Sequence, residues 1–561
     1  MELHSYGGNL LNLMWAFVAL FHSRDALCVD DYLTLKVNTL SSDGSALPVP
    51  YYSLPFCLPS TGVVNTPLSI GQLIMGDRIQ SSPYEFKINA NQSSVLLCRT
   101  NPLSPLQARM FRKLIQDNYH VNFLLDHLPA KRFAHVESPA MWTGVPIGVE
   151  RMNKFYVYNH MKFRILTKMN GGGLAVVRLE VDAGTLKTEI KENTRIEFSY
   201  DVAFEQSDTE WESRWDAYLT KKTPKGLWLS VTTPSIVGVF LLCWMLIHRR
   251  RNDDDEVLKL ESYCSSYQGP SCAMLLCVAF GTGAQVVSAA CLTMFLGLVG
   301  AVSESPRGTL LTIIVYCYAF SSIAGGYAAV RLRKAIGQAG WESVTWRVAF
   351  SFPAIAIFIF TILNLTYGQL SNTAILFSIL CLLWATVGVP LTFIGGYLGS
   401  RSRHVANTLS YTCSPVEASS QELLQACLGV LLLGCLPFKA IEYDLFYTVD
   451  SFWSGRHFLE FDTHVVIMGT LVIACAEASV ICNLERLHND RLWWWKAFFG
   501  SGSCGVYVFC YLIEYRDFHL QYLSSSTGIV VGHSILIGLA TMLATGAVGL
   551  LCTFLFLSFA F

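Results

Sequence analysis

Leu227-Trp228-Leu229-Ser230-Val231-Thr232-Thr233-Pro234-Ser235-Ile236-Val237-Gly238-Val239-Phe240-Leu241-Leu242-Cys243-Trp244-Met245-Leu246-Ile247 is followed at once by His248-Arg249-Arg250-Arg251. The run covers the roughly 20 residues a helix needs to cross about 30 Å of hydrocarbon. Cations directly behind such a run favour the cytoplasmic face. This crossing divides the chain: residues 27–225 are expected as a β-rich domain on the lumenal or extracellular side, and residues 226–561 as a transmembrane domain.

Outward from there, hydropathy predicts nine spans, at about 227–247, 272–300, 309–330, 347–367, 374–399, 423–441, 463–483, 497–515 and 528–557. Loop cations agree with that count. One set of loops carries Arg249–Arg251, Lys259, Arg331, Arg333, Lys334, Arg401, Arg403, Arg486, Arg491 and Lys496, the other only Arg307, Arg456 and Arg516, with Lys439 near a helix end. With the first domain outside, an odd span number leaves the C-terminus in the cytoplasm. Composition points the same way: 14% of the 561 residues are charged and 52% hydrophobic, against roughly 25% charged in soluble proteins. A net charge of -1 offers no basic footprint for nucleic acid.

Before the first crossing, Leu10 to Phe21 with Ala26 beyond it predicts a signal peptide over residues 1–26. Alternating apolar residues predict strands at Leu33 to Val37, Tyr84 to Ile88, Phe155 to Tyr158, Phe163 to Leu166, Ala175 to Val181 and Arg195 to Phe204. Ser104 as N-cap and Pro105 at the first position predict a helix carrying Leu106, Met110 and Leu114 on one face. The expected fold is a polytopic α-helical membrane protein with an N-terminal β-sandwich-like domain and a helical insert. Of 18 cysteines only Cys28, Cys57 and Cys98 precede the first crossing. An oxidising compartment favours pairing, so Cys57–Cys98 is the expected disulfide, with Cys28 left over. Asn91-Gln92-Ser93 is a glycosylation acceptor sequence.

Within the spans, Glu477 is the residue to single out. A carboxylate there costs about 2.5–3.5 kcal/mol on insertion scales, so it should face the bundle interior or water. It reads either as a proton, cation or partner-helix site, or as a protonated or hydrogen-bonded carboxyl that holds two helices together. Gln285 and His533 read as interhelical hydrogen-bonding groups; Glu442, Asp444 and Glu514 fall at helix ends. Gly395/Gly399 and Gly528/Gly532 have the spacing of helix-packing faces, and Trp493, Trp494 and Trp495 read as an interfacial anchor. Gly500-x-Gly502-x-x-Gly505 matches a dinucleotide pattern but opens a membrane span, so it is set aside. There is no nucleophile elbow, HExxH or phosphate loop, and no ligand-spaced histidines; no enzyme, cofactor or metal is expected.

An ordered series of motifs resembles the nonaspanins, the transmembrane 9 superfamily of endomembrane proteins. It begins at Tyr51-Tyr52-Ser53-Leu54-Pro55-Phe56-Cys57, Gly71-Gln72-Leu73, Gly76-Asp77-Arg78-Ile79 and Ser82-Pro83-Tyr84. Leu124 to Pro129, Gly144 to Gly148, Asn159-His160, Phe198 to Val202, Trp211 and Arg214-Trp215-Asp216 continue it. Arg307 to Thr312, Ala324 to Tyr327, Val389-Pro390-Leu391, Gly395 to Gly399, Leu436 to Glu442, Cys475-Ala476-Glu477 and Trp493 to Lys496 carry it through the membrane half. Two stretches depart. The first cytoplasmic loop reads Leu258-Lys259-Leu260-Glu261 where the family is rich in Gly-Trp-Lys and His-Gly-Asp patterns. The chain ends Leu557-Ser558-Phe559-Ala560-Phe561 without the family's Lys-x-Asp or Lys-x-Glu coat-binding signal, so Golgi retention by that route is not expected.

The resemblance implies a multi-pass protein of Golgi and endosome membranes that sorts other membrane proteins to the cell surface. Its partners would be clients with glycine-rich or polar transmembrane helices, with coat or sorting machinery on the cytoplasmic side. A client helix could be met by a partly polar groove at Glu477, Glu442 and Gln285. The alternative is a transporter or channel for a small solute, proton or metal ion; a third reading is a membrane scaffold whose outer domain binds a ligand.

Overall fold

The computed structural model describes residues 32–42, 45–132, 144–170, 173–184, 187–211, 213–215, 232–243, 270, 272–299, 308–367, 370–402, 420–454, 461–484, 493–519 and 527–560. The expected signal peptide, Cys28 and the Arg249–Arg251 block lie outside these residues.

Period-two alternation builds the N-terminal domain, or head. Leu33, Leu35 and Val37 of the strand Tyr32–Val37 point inward, as do Tyr84 and Phe86 of Gln80–Lys87. These two strands join Phe123–Leu125 and Leu128–Pro129 in a four-stranded sheet. A five-stranded sheet runs in the order Gln92–Arg99, Glu197–Gln206, His160–Asn170, Gly173–Ala183, Lys131–Arg132. Ring contacts join the two sheets: Tyr84 on Phe163 at 5.4 Å, Phe86 on Tyr200 at 5.6 Å, Phe123 on Phe163 at 5.4 Å. Edge-on aromatic contacts of this kind add to burial in holding two layers together. A second four-stranded sheet and a three-stranded one complete the head. The strand His160–Asn170 lies parallel to Glu197–Gln206, a pairing that needs a long crossover between them.

Two head helices matter. Helix α1 (Ile70–Ile74) and helix α2 (Pro105–Gln116) each begin with a reciprocal capping box, Ser69 with Gln72 and Ser104 with Gln107. The buried stripe of α2 is Ala108, Phe111, Leu114 and Ile115, and Leu106 is exposed. Of the expected stripe Leu106, Met110 and Leu114, Leu114 is buried and Met110 packs half-buried on the core, while Leu106 falls off it. A strict four-residue step drifts about 40° per repeat around the helix, whereas mixed three- and four-residue steps keep one face inward.

The membrane half is helical. Its elements are α3 (Thr232–Cys243), α4 (Ala273–Leu298), α5 (Thr309–Phe320), α6 (Ser322–Ala335), α7 (Trp341–Tyr367), α8 (Leu370–Leu383), α9 (Val389–Arg401), α10 (Ser420–Leu433), α11 (Cys435–Ser454), α12 (Phe461–Leu484), α13 (Trp493–Gly502), α14 (Cys504–His519) and α15 (Thr527–Ala560). Seven stretches are long and apolar enough to cross a bilayer: α4, α5–α6, α7, α8–α9, α12, α13–α14 and α15. The other two expected spans fall at the shorter apolar α3 and at the α10–α11 pair. A π turn, Trp384–Gly388, joins α8 to α9 just before Pro390, whose ring cannot donate a backbone hydrogen bond.

Candidate functional site

Small residues set the inner face of α12. Ala474, Cys475, Ala478 and Ser479 are almost fully buried. Against them lie Gly500 of α13, close to the Ser479 main chain, and Gly549 of α15, where an added Cβ would collide with the Ser479 and Ser501 hydroxyls. Ser479 Oγ donates to Ser501 Oγ at 3.0 Å, and Ser501 Oγ to the Thr545 carbonyl at 2.8 Å. Asn483 Nδ2 donates to the Ser479 carbonyl at 2.7 Å, leaving its Oδ1 without a partner among the described residues.

Glu477 is on this helix and is 6% exposed. Neither of its carboxyl oxygens has a hydrogen-bond partner among the described residues. What covers it is α3: a Cβ on Gly238 would overlap the Glu477 carboxyl. One turn before Gly238, the Ser235 hydroxyl is also buried and without a partner among the described residues. Pro234 and Gly238 face inward, while Ile236 and Phe240 are 66% and 71% exposed. A wholly apolar medium penalises an unpaired carboxyl, so this contact carries an unmet hydrogen-bonding demand.

The other residues expected at a polar groove lie apart from it. Gln285 on α4 donates through Nε2 to the Tyr318 carbonyl at 3.2 Å and to Ser322 Oγ at 2.9 Å. It thereby ties α4 to the junction where α5 gives way to α6. Glu442 on α11 pairs with Lys439 at 2.6 Å and is partly exposed.

Glycines mark backbone contacts. A Cβ on Gly395 would overlap the Ile323 carbonyl, and one on Gly326 the Thr392 carbonyl, so α6 and α9 touch main chain to main chain. Gly399 faces the Tyr327 carbonyl across the same contact, and Gly532 faces the Leu363 side chain of α7; its spacing partner Gly528 lies at the start of α15. Trp493 and Trp494 stack at 4.0 Å and are buried among residues of α4, α6, α7 and α15, which gives these two indoles protein rather than headgroup contacts. Trp495 is half-buried and stacks on Phe499. Gly500, Gly502 and Gly505 are helical or at the α13–α14 junction, not in a phosphate loop.

In the head, Cys57 and Cys98 are joined by a disulfide. Asn91 is exposed and its Oδ1 accepts from the Phe204 N–H at 2.9 Å. That bond uses the oxygen and leaves the amide nitrogen for a glycan, which we propose it carries. Asn91→Gln should remove one endoglycosidase-sensitive mobility step; an unchanged pattern would count against this.

His160 is buried between Ser199, 2.8 Å from Nδ1, and Asp201, 3.1 Å from Nε2. Burial pushes the Asp201 carboxyl up. The Ser94 N–H and His160 outweigh that, and its pKa ends below the usual carboxylate value. A depressed carboxyl stabilises the fold above its unfolded pKa of about 3.9, and that contribution is lost as pH falls through and below it. Thermal melts of the intact protein should therefore be insensitive to this group from pH 7 to 5 and fall below about pH 4. Asp201→Asn should flatten that acid limb.

The head also sits directly on the bundle. The Gly71 N–H in α1 donates to Thr312 Oγ1 in α5 at 2.8 Å, across 241 residues of sequence. A Cβ on Gly71 would overlap the Gly308 carbonyl, and Gly308 has φ +96°, where glycine alone is unstrained. Two stretches noted for their family pattern, Gly71-Gln72-Leu73 and Arg307 to Thr312, thus meet in space.

Among the described residues no three His, Cys, Asp or Glu side chains converge on a metal-sized site. Sequence reasoning found Glu477 but missed Gly238 and Ser235, whose one signal is a lone glycine and a serine at i, i+3 spacing inside the first apolar run.

Residues 48–525 match the endomembrane protein 70 family. The chain is similar to transmembrane 9 superfamily member 11 of Arabidopsis thaliana, at 36% identity over 95% of this chain and 94% of that protein. It is 33% identical to member 12 of the same plant over 95% and 94%. Member 4 of Homo sapiens is 26% identical over 94% and 93%. No solved structure matches.

Proposed function

Since this chain belongs to the endomembrane protein 70, or transmembrane 9, family, we propose that it sorts membrane proteins on their way to the cell surface. We place it in Golgi and endosome membranes, with the head lumenal and the C-terminus cytoplasmic, where coat or sorting machinery would act. The clients in this reading are proteins with glycine-rich or polar transmembrane helices, and no catalytic step is assigned. The observation that carries it is the Glu477 carboxyl, buried within a membrane helix with neither oxygen hydrogen-bonded among the described residues. A polar or glycine-rich client helix exposes donors and backbone that lipid cannot match, and such a carboxyl can bond them.

Surface proteomics after depletion tests this, with rescue by wild type, Glu477→Gln and Glu477→Leu. Wild type should restore the lost clients; Glu477→Leu should restore them several-fold less, and the amide, which still accepts a hydrogen bond, an intermediate amount. A surface proteome indifferent to depletion would sink the sorting reading. The second reading is proton or cation transport, because an unpaired carboxyl can also take up a proton. Ion or proton flux by purified protein in vesicles, abolished by Glu477→Gln, would favour it.

A further inference from the structure

Helix α3 fills the space over Glu477 without answering its chemistry. It offers Gly238, which lets the carboxyl lie against its main chain, yet it gives that carboxyl no hydrogen bond among the described residues. The Ser235 hydroxyl, one turn before Gly238, is itself without a partner among the described residues. The outward face of α3 is heavily exposed at Ile236, Val237, Val239 and Phe240, so within this stretch α3 is held from one side. A resident helix built this way fits by shape alone. Any helix that brings the same small residue and also a donor to the carboxyl would be held better.

We propose that α3 is a placeholder in a helix-binding seat at Glu477. It gives way to a partner transmembrane helix that carries a small residue against the carboxyl and a hydrogen-bond donor, such as an amide or hydroxyl, about one turn away. This rests on the sorting reading and makes it more specific: glycine alone does not select a partner, because α3 already supplies glycine. Selection comes from the donor that α3 fails to present to Glu477. The expected discrimination is what one intramembrane hydrogen bond allows, ~3- to 20-fold. Entry is lateral, from the lipid, since the exposed side of α3 marks where the seat meets the bilayer.

The test uses the purified full-length protein in lipid nanodiscs with a photo-crosslinking phenylalanine analogue in place of Ile473. That residue is 49% exposed and one turn from Glu477 on α12. The probes are leucine-rich synthetic transmembrane peptides: one with a central glycine and a glutamine four residues away, one with the glutamine replaced by leucine, one with the glycine replaced by leucine. Capture of the first should exceed capture of the other two by ~3- to 20-fold, and the internal crosslink from position 473 to α3 should fall as the peptide is captured. Glu477→Leu should remove the preference and Glu477→Gln should keep part of it, which separates loss of the bond from loss of the fold. Gly238→Ala should raise capture by loosening α3. Capture indifferent to the glutamine and to Glu477, or capture with no fall in the α3 crosslink, would overturn the proposal. Such a result alongside a surface proteome that still depends on the protein would refute the placeholder and leave sorting standing.

Discussion

Gly326→Leu is expected to yield little or no folded protein. The added side chain would meet the Thr392 carbonyl and the Gly396 main-chain nitrogen, not the flexible end of a side chain. The opposite glycine, Gly395, lies on the Ile323 carbonyl, so α9 cannot slide along α6 to make room. Overpacking costs about 1–3 kcal/mol where neighbours can relax. Here the neighbours are backbone, and the cost should exceed that range and consume much of a total stability of about 5–15 kcal/mol. Gly429→Leu is the matched comparison, since among the described residues nothing lies within 4 Å of the position its Cβ would take. Size-exclusion profiles and thermal melts in detergent should show a monodisperse, near-normal Gly429→Leu and an aggregated Gly326→Leu. A Gly326→Leu protein that melts within a few degrees of wild type would show that the α6–α9 contact is looser than described.

The second large effect is expected from Cys57→Ser with Cys98→Ser. The bond closes a stretch with a sequence separation of 41 residues. Chain-entropy arguments put its contribution at about 4 kcal/mol. It fastens the segment around Phe56, whose ring stacks on Tyr51 and packs edge-on against Phe111 and Phe198, to the edge strand Gln92–Arg99. Without it that edge keeps its pairing with Glu197–Gln206 and the packing of Val95 and Leu97 on the core. Limited proteolysis of the intact protein should cut the double variant within the head well before the membrane half, and its melting temperature should drop by several degrees. Equal protease resistance with and without the bond would mean that the aromatic core alone holds the edge.

Much of the architecture is legible in local pattern. The apolar runs at 272–300, 309–330, 347–367, 374–399, 463–483, 497–515 and 528–557 coincide with helices, because hydropathy over 20 residues is a local property. Strand Glu197–Gln206 shows its alternation through Phe198, Tyr200 and Val202, each buried, with Ile196 just before it. The alternation at Phe163 to Leu166 likewise marks its partner His160–Asn170, but not that the two run parallel: pairing direction depends on the route of the intervening chain. On α2, Leu114 and Met110 do face the core, and only Leu106 falls off the stripe, because a strict four-residue step drifts around the helix. At the candidate site the asymmetry is sharper. Glu477 stands out because a carboxyl in an apolar run is rare. Gly238 does not, since one glycine in a membrane run is ordinary, and its meaning arises from a helix more than 200 residues away. Trp493 and Trp494 likewise look like headgroup anchors until the helices that bury them are in place.

The berth of Gly71 on Thr312 bears on how the molecule is put together in time. At synthesis rates of about 5–20 residues per second, the ribosome reaches Thr312 roughly ten to fifty seconds after Gly71. An N-terminal domain that folds as it is made would have α1 capped and its Gly71 amide facing outward before α5 exists. The newly inserted α5 would then arrive at a finished mooring, and the orientation of its first turn would be dictated by the domain outside the bilayer. Assembly would thus proceed from the N-terminal domain to the membrane helices, so a fault in that domain, such as a missing Cys57–Cys98 bond, would surface as a misplaced membrane helix.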